Sequence, residues 1–244
     1  MRLREQYTFK EIVDSLSREK RAQDGTVTRF FHRPLSFPLA WFFFKTGFSP
    51  NGVTYLSILF CACGFICTLI PSISFHFIGI VFFTLFGTLD CVDGNMARTI
   101  RNRKSRNGLS QDSGKSFGEW VDALGGYCAY TAMILSLGLS SMLVSGGKAT
   151  WMIAASVTCA ANLLMRLAFQ SYRVVSGDPS RAGIGSEKRF SEEIGITGWF
   201  QVLYYAGLAW GFLPWVLIGY SAVYCAGCLV TVTKLIIKVE RSPR

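Results

Sequence analysis

The stretch FHFIGIVFFTLFGTLDCVDGNMAR, Phe75 to Arg98, decides the fold. From Phe75 to Leu89 it carries no Asp, Glu, Lys or Arg, and carried on to Met96 it reaches the ~20 residues a helix needs to cross a hydrocarbon core. Two aspartates, Asp90 and Asp93, stand near the end of that span. A charged side chain in a membrane helix costs roughly 2.5–3.5 kcal/mol on insertion scales, and such residues mark functional sites. Three residues apart, these two carboxylates share a helical face and repel each other unless a cation lies between them.

The remaining chain carries the same membrane signature. Half of its 244 residues are hydrophobic and 16% are charged, against about 25% charged in a soluble domain. The apolar residues gather into membrane-length runs, which predicts an all-α integral membrane protein with six transmembrane helices. The expected spans are about Gly52–Ile70, Phe75–Met96, Phe117–Val144, Ala149–Tyr172, Ile194–Trp210 and Trp215–Ile237. Residues 1–50 form an N-terminal segment, 51–238 the transmembrane catalytic domain and 239–244 a basic tail. Within the first segment a short helix is expected near Lys10 to Lys20, and no cleavable signal peptide is expected. VTRFFHRPLSFPLAWFFFKTG, Val27 to Gly47, mixes aromatic rings with basic residues and fits an amphipathic helix at the membrane surface.

The net charge of +10 lies in short segments between apolar runs, without a groove-reading motif, which excludes nucleic acid as the partner. Nearly all Lys and Arg fall in the N-terminal segment, the Arg98–Lys115 loop, the Arg173–Arg189 loop and the tail. Over six spans these segments share one side, so both termini are expected in the cytoplasm. Eight cysteines, nearly all within apolar runs, read as small packing residues rather than disulfides or a zinc site.

Orientation sets the depth of the carboxylates. Asp93 lies about 7 Å and Asp90 about 12 Å inside the cytoplasmic end of the second span. Asp122 enters on the third span, about 6 Å past Gly118. Three carboxylates at similar depth on antiparallel helices suit a hard divalent cation, Mg2+ or Mn2+ rather than zinc. Asp90, Asp93, Gly94 and Ala97 form one stripe, and Gly118, Asp122, Gly125 and Gly126 a second. Such stripes serve close helix packing and also let a base or phosphate approach the backbone. Arg166, Gln170 and Arg173 form a third stripe, with Arg166 about 10 Å deep, level with the carboxylates, where it can pair with them or neutralise phosphate.

Asp90-x-x-Asp93-Gly94-x-x-Ala97-Arg98 followed by Gly118-x-x-x-Asp122 resembles the signature of the CDP-alcohol phosphotransferases. Softer similarities run from about Pro34 onward. The resemblance implies a six-helix membrane transferase, in phospholipid or glycolipid and cell-envelope synthesis, that displaces CMP from a CDP-linked donor with a lipid or alcohol acceptor. It implies Asp90, Asp93 and Asp122 as metal ligands, and Gly94, Ala97, Arg98, Gly118 and Arg173 around the CDP moiety and its phosphates. Arg166 is then a phosphate contact, and a homodimer is expected.

Two features depart from the family pattern. Residues 99–117 make a longer loop before Gly118; the competing register Gly108-x-x-x-Asp112 leads into polar sequence rather than a helix. Gly126 occupies the place of a fourth aspartate, which in the family pattern is a metal ligand and general base. Glu119 is the expected substitute base, with Glu187 and Glu192 as further candidates; otherwise the acceptor is already ionised, or the protein binds CDP compounds without turnover. A transporter is the reading from another class, disfavoured because the polar residues cluster at one depth.

Overall fold

A computed structural model describes residues 7–108, 117–176 and 192–240, and these are helical with short connections. Helix α1 (Phe9–Asp14) opens with a capping box in which Thr8 and Glu11 exchange hydrogen bonds, and Ser17 caps α2 (Arg18–Gln23). The aromatic and basic stretch then makes a π-helical turn at Thr28–His32 and continues as α3 (Arg33–Thr46). Phe30, Phe31, Leu35, Trp41 and Phe42 are exposed, whereas His32, Arg33, Ser36, Ala40, Phe43 and Phe44 are buried against the bundle. This one-sided burial is the division an interfacial helix requires.

Ser49 starts α4 (Pro50–Leu69): its hydroxyl accepts from the Gly52 N–H at 3.1 Å, and Pro50 occupies the first turn, where a missing N–H is harmless. There follow α5 (Ile73–Arg106), α6 (Phe117–Val144), α7 (Thr150–Ser176), α8 (Trp199–Trp210) and α9 (Leu213–Glu240). Among the described residues, α4, α5, α6, α7 and α9 are long and apolar enough to cross a bilayer. The chain is therefore a multi-pass integral membrane protein.

Two elements differ from the expected boundaries. The fifth expected span, Ile194–Trp210, yields α8 of 12 residues, about 18 Å long against a ~30 Å core. A turn at residues 195–198 replaces its first part, and the Gly198 backbone there packs so closely on the Glu193 carbonyl that a side chain has no room. In contrast, α5 outruns its expected end at Met96 and continues to Arg106, taking up part of the enlarged loop. Arg103, Lys104 and Arg106 suit a helix C-terminus. The extension also has a partner: Arg103 lies over the ring of Tyr7 at 4.9 Å, and Tyr7 stacks on Phe44 at 4.2 Å. Gly108, with φ of 68°, follows the helix end in a left-handed conformation that favours glycine.

Helix α5 is the centre of the bundle, packing on α1, α3, α4, α6 and α8. It meets α4 at Gly64 and Gly79, where a Cβ on either residue would lie 2.8–2.9 Å from the other's carbonyl oxygen. Small residues permit this backbone approach, which drives helix association in lipid. Away from the carboxylates, His76 and Ser140 are hydrogen-bonded, and Ser140 also bonds Tyr204 at 2.7 Å, so these buried polar groups are partnered. At the carboxylate end, Ile12, Phe43 and Phe44 pack with Val53, Leu89, Val92 and Met96, joining the N-terminal helices to α4 and α5.

Candidate active site

The helical repeat of α5 places Asp90, Gly94 and Ala97 on a half-buried stripe, with Asp93 turned inward and buried. Asp122 arrives from α6 and is exposed. One carboxylate oxygen of each aspartate lies within 4.8 Å of the others. Oxygens on opposite sides of one hard divalent ion stand about 4–5 Å apart, so a single ion can take a ligand from all three. The donor set is all oxygen, which suits Mg2+ or Mn2+. Asp93 is oriented by α4, because the Thr54 hydroxyl donates to its Oδ2 at 2.6 Å.

The small residues beside the carboxylates do different work. Gly94 lies under the guanidinium of Arg98, whose nitrogens are 3.3–3.4 Å from the place a Cβ would take. Gly125 is a packing position, since a Cβ there would meet Ile58 at 3.0 Å. A Cβ on Gly126 would meet nothing within 4 Å. Gly118 and Ala97 are half-buried on α6 and α5.

Arg98 belongs to a polar chain that reaches back to the N-terminal helices. Its Nη2 donates to Asn95 Oδ1 at 2.6 Å, and Arg33 Nη1 donates to the same oxygen at 3.3 Å. Asn95 Nδ2 donates to Ser36 Oγ at 2.8 Å. Arg33 grips Asp24 through Nε at 2.7 Å and Nη2 at 3.0 Å, and Lys20 approaches Asp24 at 3.4 Å. Burial by itself raises the Asp24 pKa, but the hydrogen bonds and charges of Arg33 and Lys20 outweigh it and hold the carboxyl below its usual range. Arg98 Nε is buried with no partner among the described residues, leaving a donor for an anionic ligand.

Arg166 does not join the carboxylates: its guanidinium stacks on Tyr130 at 3.9 Å and its Nε donates to Asn162 Oδ1 at 3.1 Å. Glu119 is on α6, one turn before Asp122, and Arg173 on α7, but both side chains lie outside those described, as do Glu187 and the segment Gly183 to Arg189. Glu192 is described and half-buried. Its neighbour Glu193 accepts from the Thr26 N–H at 2.9 Å and hydroxyl at 2.8 Å, fixing this segment to the N-terminal region.

Sequence reasoning missed Thr54, Asn95, Arg33 and Asp24. Asn95 was visible as a polar residue inside the second span, on the face away from the carboxylate stripe. No spacing rule points to the other three, because their partners come from other helices.

A protein-family model described as CDP-alcohol phosphatidyltransferase matches residues 48–232, a range that begins just before α4 and contains all three carboxylates. No curated protein matches the chain.

Proposed function

The chain belongs to the CDP-alcohol phosphatidyltransferase family, and we propose that it moves a phospho-alcohol or phosphatidyl group from a CDP-linked donor to an acceptor, in phospholipid or glycolipid synthesis. The observation that carries this reading is the convergence of Asp90, Asp93 and Asp122 to within 4.8 Å from two helices inside the matched range. Those three residues hold the divalent ion. Bound there, Mg2+ or Mn2+ supplies charge neutralisation and Lewis acidity at the donor diphosphate.

The protein's own residues bind, orient and move the proton. Gly94, Ala97 and Gly118 contribute the small residues of the cytidine pocket, and Arg98 and Arg173 are assigned to its phosphates. The acceptor oxygen bonds to the phosphorus of the transferred group as the phosphorus–oxygen bond to CMP breaks and CMP leaves with the electron pair. The hydroxyl proton passes to a carboxylate, which an alkoxide-forming step requires within hydrogen-bond reach. Gly126 withholds the aspartate of the family pattern, so Glu119 or Glu192 takes that role. The reaction faces the cytoplasmic leaflet, as the clustering of basic residues in the segments beside the carboxylate end supports.

A second reading, CDP binding without turnover, is favoured by Gly126 alone. Incubating the purified protein with CDP-diacylglycerol and with soluble CDP-alcohols, with and without Mg2+, separates the two. Mg2+-dependent CMP release is the expected result. CDP binding with no release from any donor would overturn the transferase reading.

A further inference from the structure

A cavity of about 520 Å3 lies between α6, α7 and α9, apart from the carboxylate cluster. That volume is in the range of small-molecule sites. Its walls are mostly apolar, including Met165, Phe169 and Val230, yet Arg166, Lys234 and Lys238 also line it and no carboxylate does among the described residues. Lys238 lies over the ring of Tyr172 at 4.9 Å, near the ends of α7 and α9. Arg166 stands six residues further into α7, about 9 Å deeper. The cations thus step inward from the helix ends along one apolar wall.

The polar side of the cavity is incompletely satisfied. Arg166 Nε uses Asn162 Oδ1, which leaves Asn162 Nδ2 as the free end of the amide. Asn162 is 1% exposed, lines the cavity, and its Nδ2 has no hydrogen-bond partner among the described residues. A buried donor without an acceptor is costly, and an anionic oxygen beside a guanidinium removes that cost. Val223 and Val230, both lining residues, are substantially exposed, so the cavity communicates with the lipid-facing surface. Basic pockets between membrane helices are suited to phosphate headgroups whose chains remain in lipid.

We propose that this cavity binds a phosphate-bearing anionic membrane lipid, with its phosphate held by Arg166 and Asn162 Nδ2 and its chains leaving past Val223 and Val230. The assignment is independent of the transferase reading, because binding is measured with no CDP compound and no turnover.

The test uses the full chain in phosphatidylcholine nanodiscs containing phosphatidate, with retained lipid counted by native mass spectrometry. A parallel arm supplies inorganic phosphate in place of phosphatidate. Arg166→Gln removes the charge. Gly227→Leu fills the cavity with every charge kept, since Gly227 lines it and a Cβ there meets only Met165 Sδ at 3.6 Å. The expected result is a preference of about tenfold for phosphatidate over phosphatidylcholine, the scale of a charge-assisted hydrogen bond, lost in both variants. Equal retention of the two lipids by the unmodified protein, or a preference that survives Gly227→Leu, overturns the proposal. Binding of inorganic phosphate without retention of phosphatidate assigns the site to a free anion and also overturns it.

Discussion

Thr54 on α4 donates a 2.6 Å hydrogen bond to Asp93 on α5, so the buried member of the carboxylate cluster is oriented by a helix that contributes no carboxylate of its own. Partners of this kind around metal ligands typically govern affinity by 10–100-fold. Thr54→Val keeps the shape and removes the donor. We expect the Mg2+ concentration for half-maximal CMP release to rise by about tenfold or more. An unchanged Mg2+ titration would show that Thr54 does not orient a ligand.

Metal removal has its own signature. Three carboxylates within 4.8 Å repel one another without a cation, so the protein should melt at a lower temperature in EDTA than in Mg2+. Free Mg2+ at about 100 times its Kd contributes about 2.7 kcal/mol. Asp122→Asn removes one like charge and should melt at or above the unmodified protein in EDTA, while gaining little from Mg2+. A melting temperature indifferent to Mg2+ in the unmodified protein would count against the ion site.

Gly126 offers space for a direct test of the proton acceptor, since a Cβ there meets no atom within 4 Å. A well-placed general base contributes about 10²–10⁴-fold to rate. We expect Gly126→Asp to raise CMP release several-fold, less than that full range, because Glu119 or Glu192 already serves. Glu119→Gln and Glu192→Gln, each measured singly, identify which one: the true acceptor loses about 10²-fold or more. Unchanged turnover in Gly126→Asp would mean that proton removal does not limit the reaction.

The Asp24–Arg33 pair locks the N-terminal helices to α5 through Asn95. Asp24 is 2% and Arg33 7% exposed, so removing one partner strands a buried charge. Asp24→Ala should cost about 3–5 kcal/mol at neutral pH. The folded pKa of Asp24 lies below its unfolded value, so its contribution is complete above about pH 4 and is lost as pH falls through the folded pKa. The melting-temperature gap between the unmodified protein and Asp24→Ala should therefore close in acid. A gap constant down to pH 2–3 would assign the effect to packing rather than to the ionised pair.

Much of the site was legible because it depends on local periodicity. A spacing of three or four residues puts Asp90, Asp93 and Gly94 together on any α-helix, and the count of residues from a helix end sets depth whatever the neighbours are. Asp122 falls at the matching depth on the next long helix, so its convergence with the pair could be read before any contact was known. Arg166 shows where that reasoning stops. Depth alone placed it level with the carboxylates, but rotation of α7 about its axis carries it to Tyr130 and Asn162.

The sequence by itself determined a helical membrane bundle and an acidic stripe on its second span, because hydrophobic run length and the helical repeat are properties of single segments. Only the tertiary structure decided that Thr54 orients Asp93, that Asn95 joins Arg33 to Arg98, that α5 runs on to Arg106 against Tyr7, and that α8 is short. Those features are set by the rotation and close approach of neighbouring helices, and residue spacing along one chain carries no information about either.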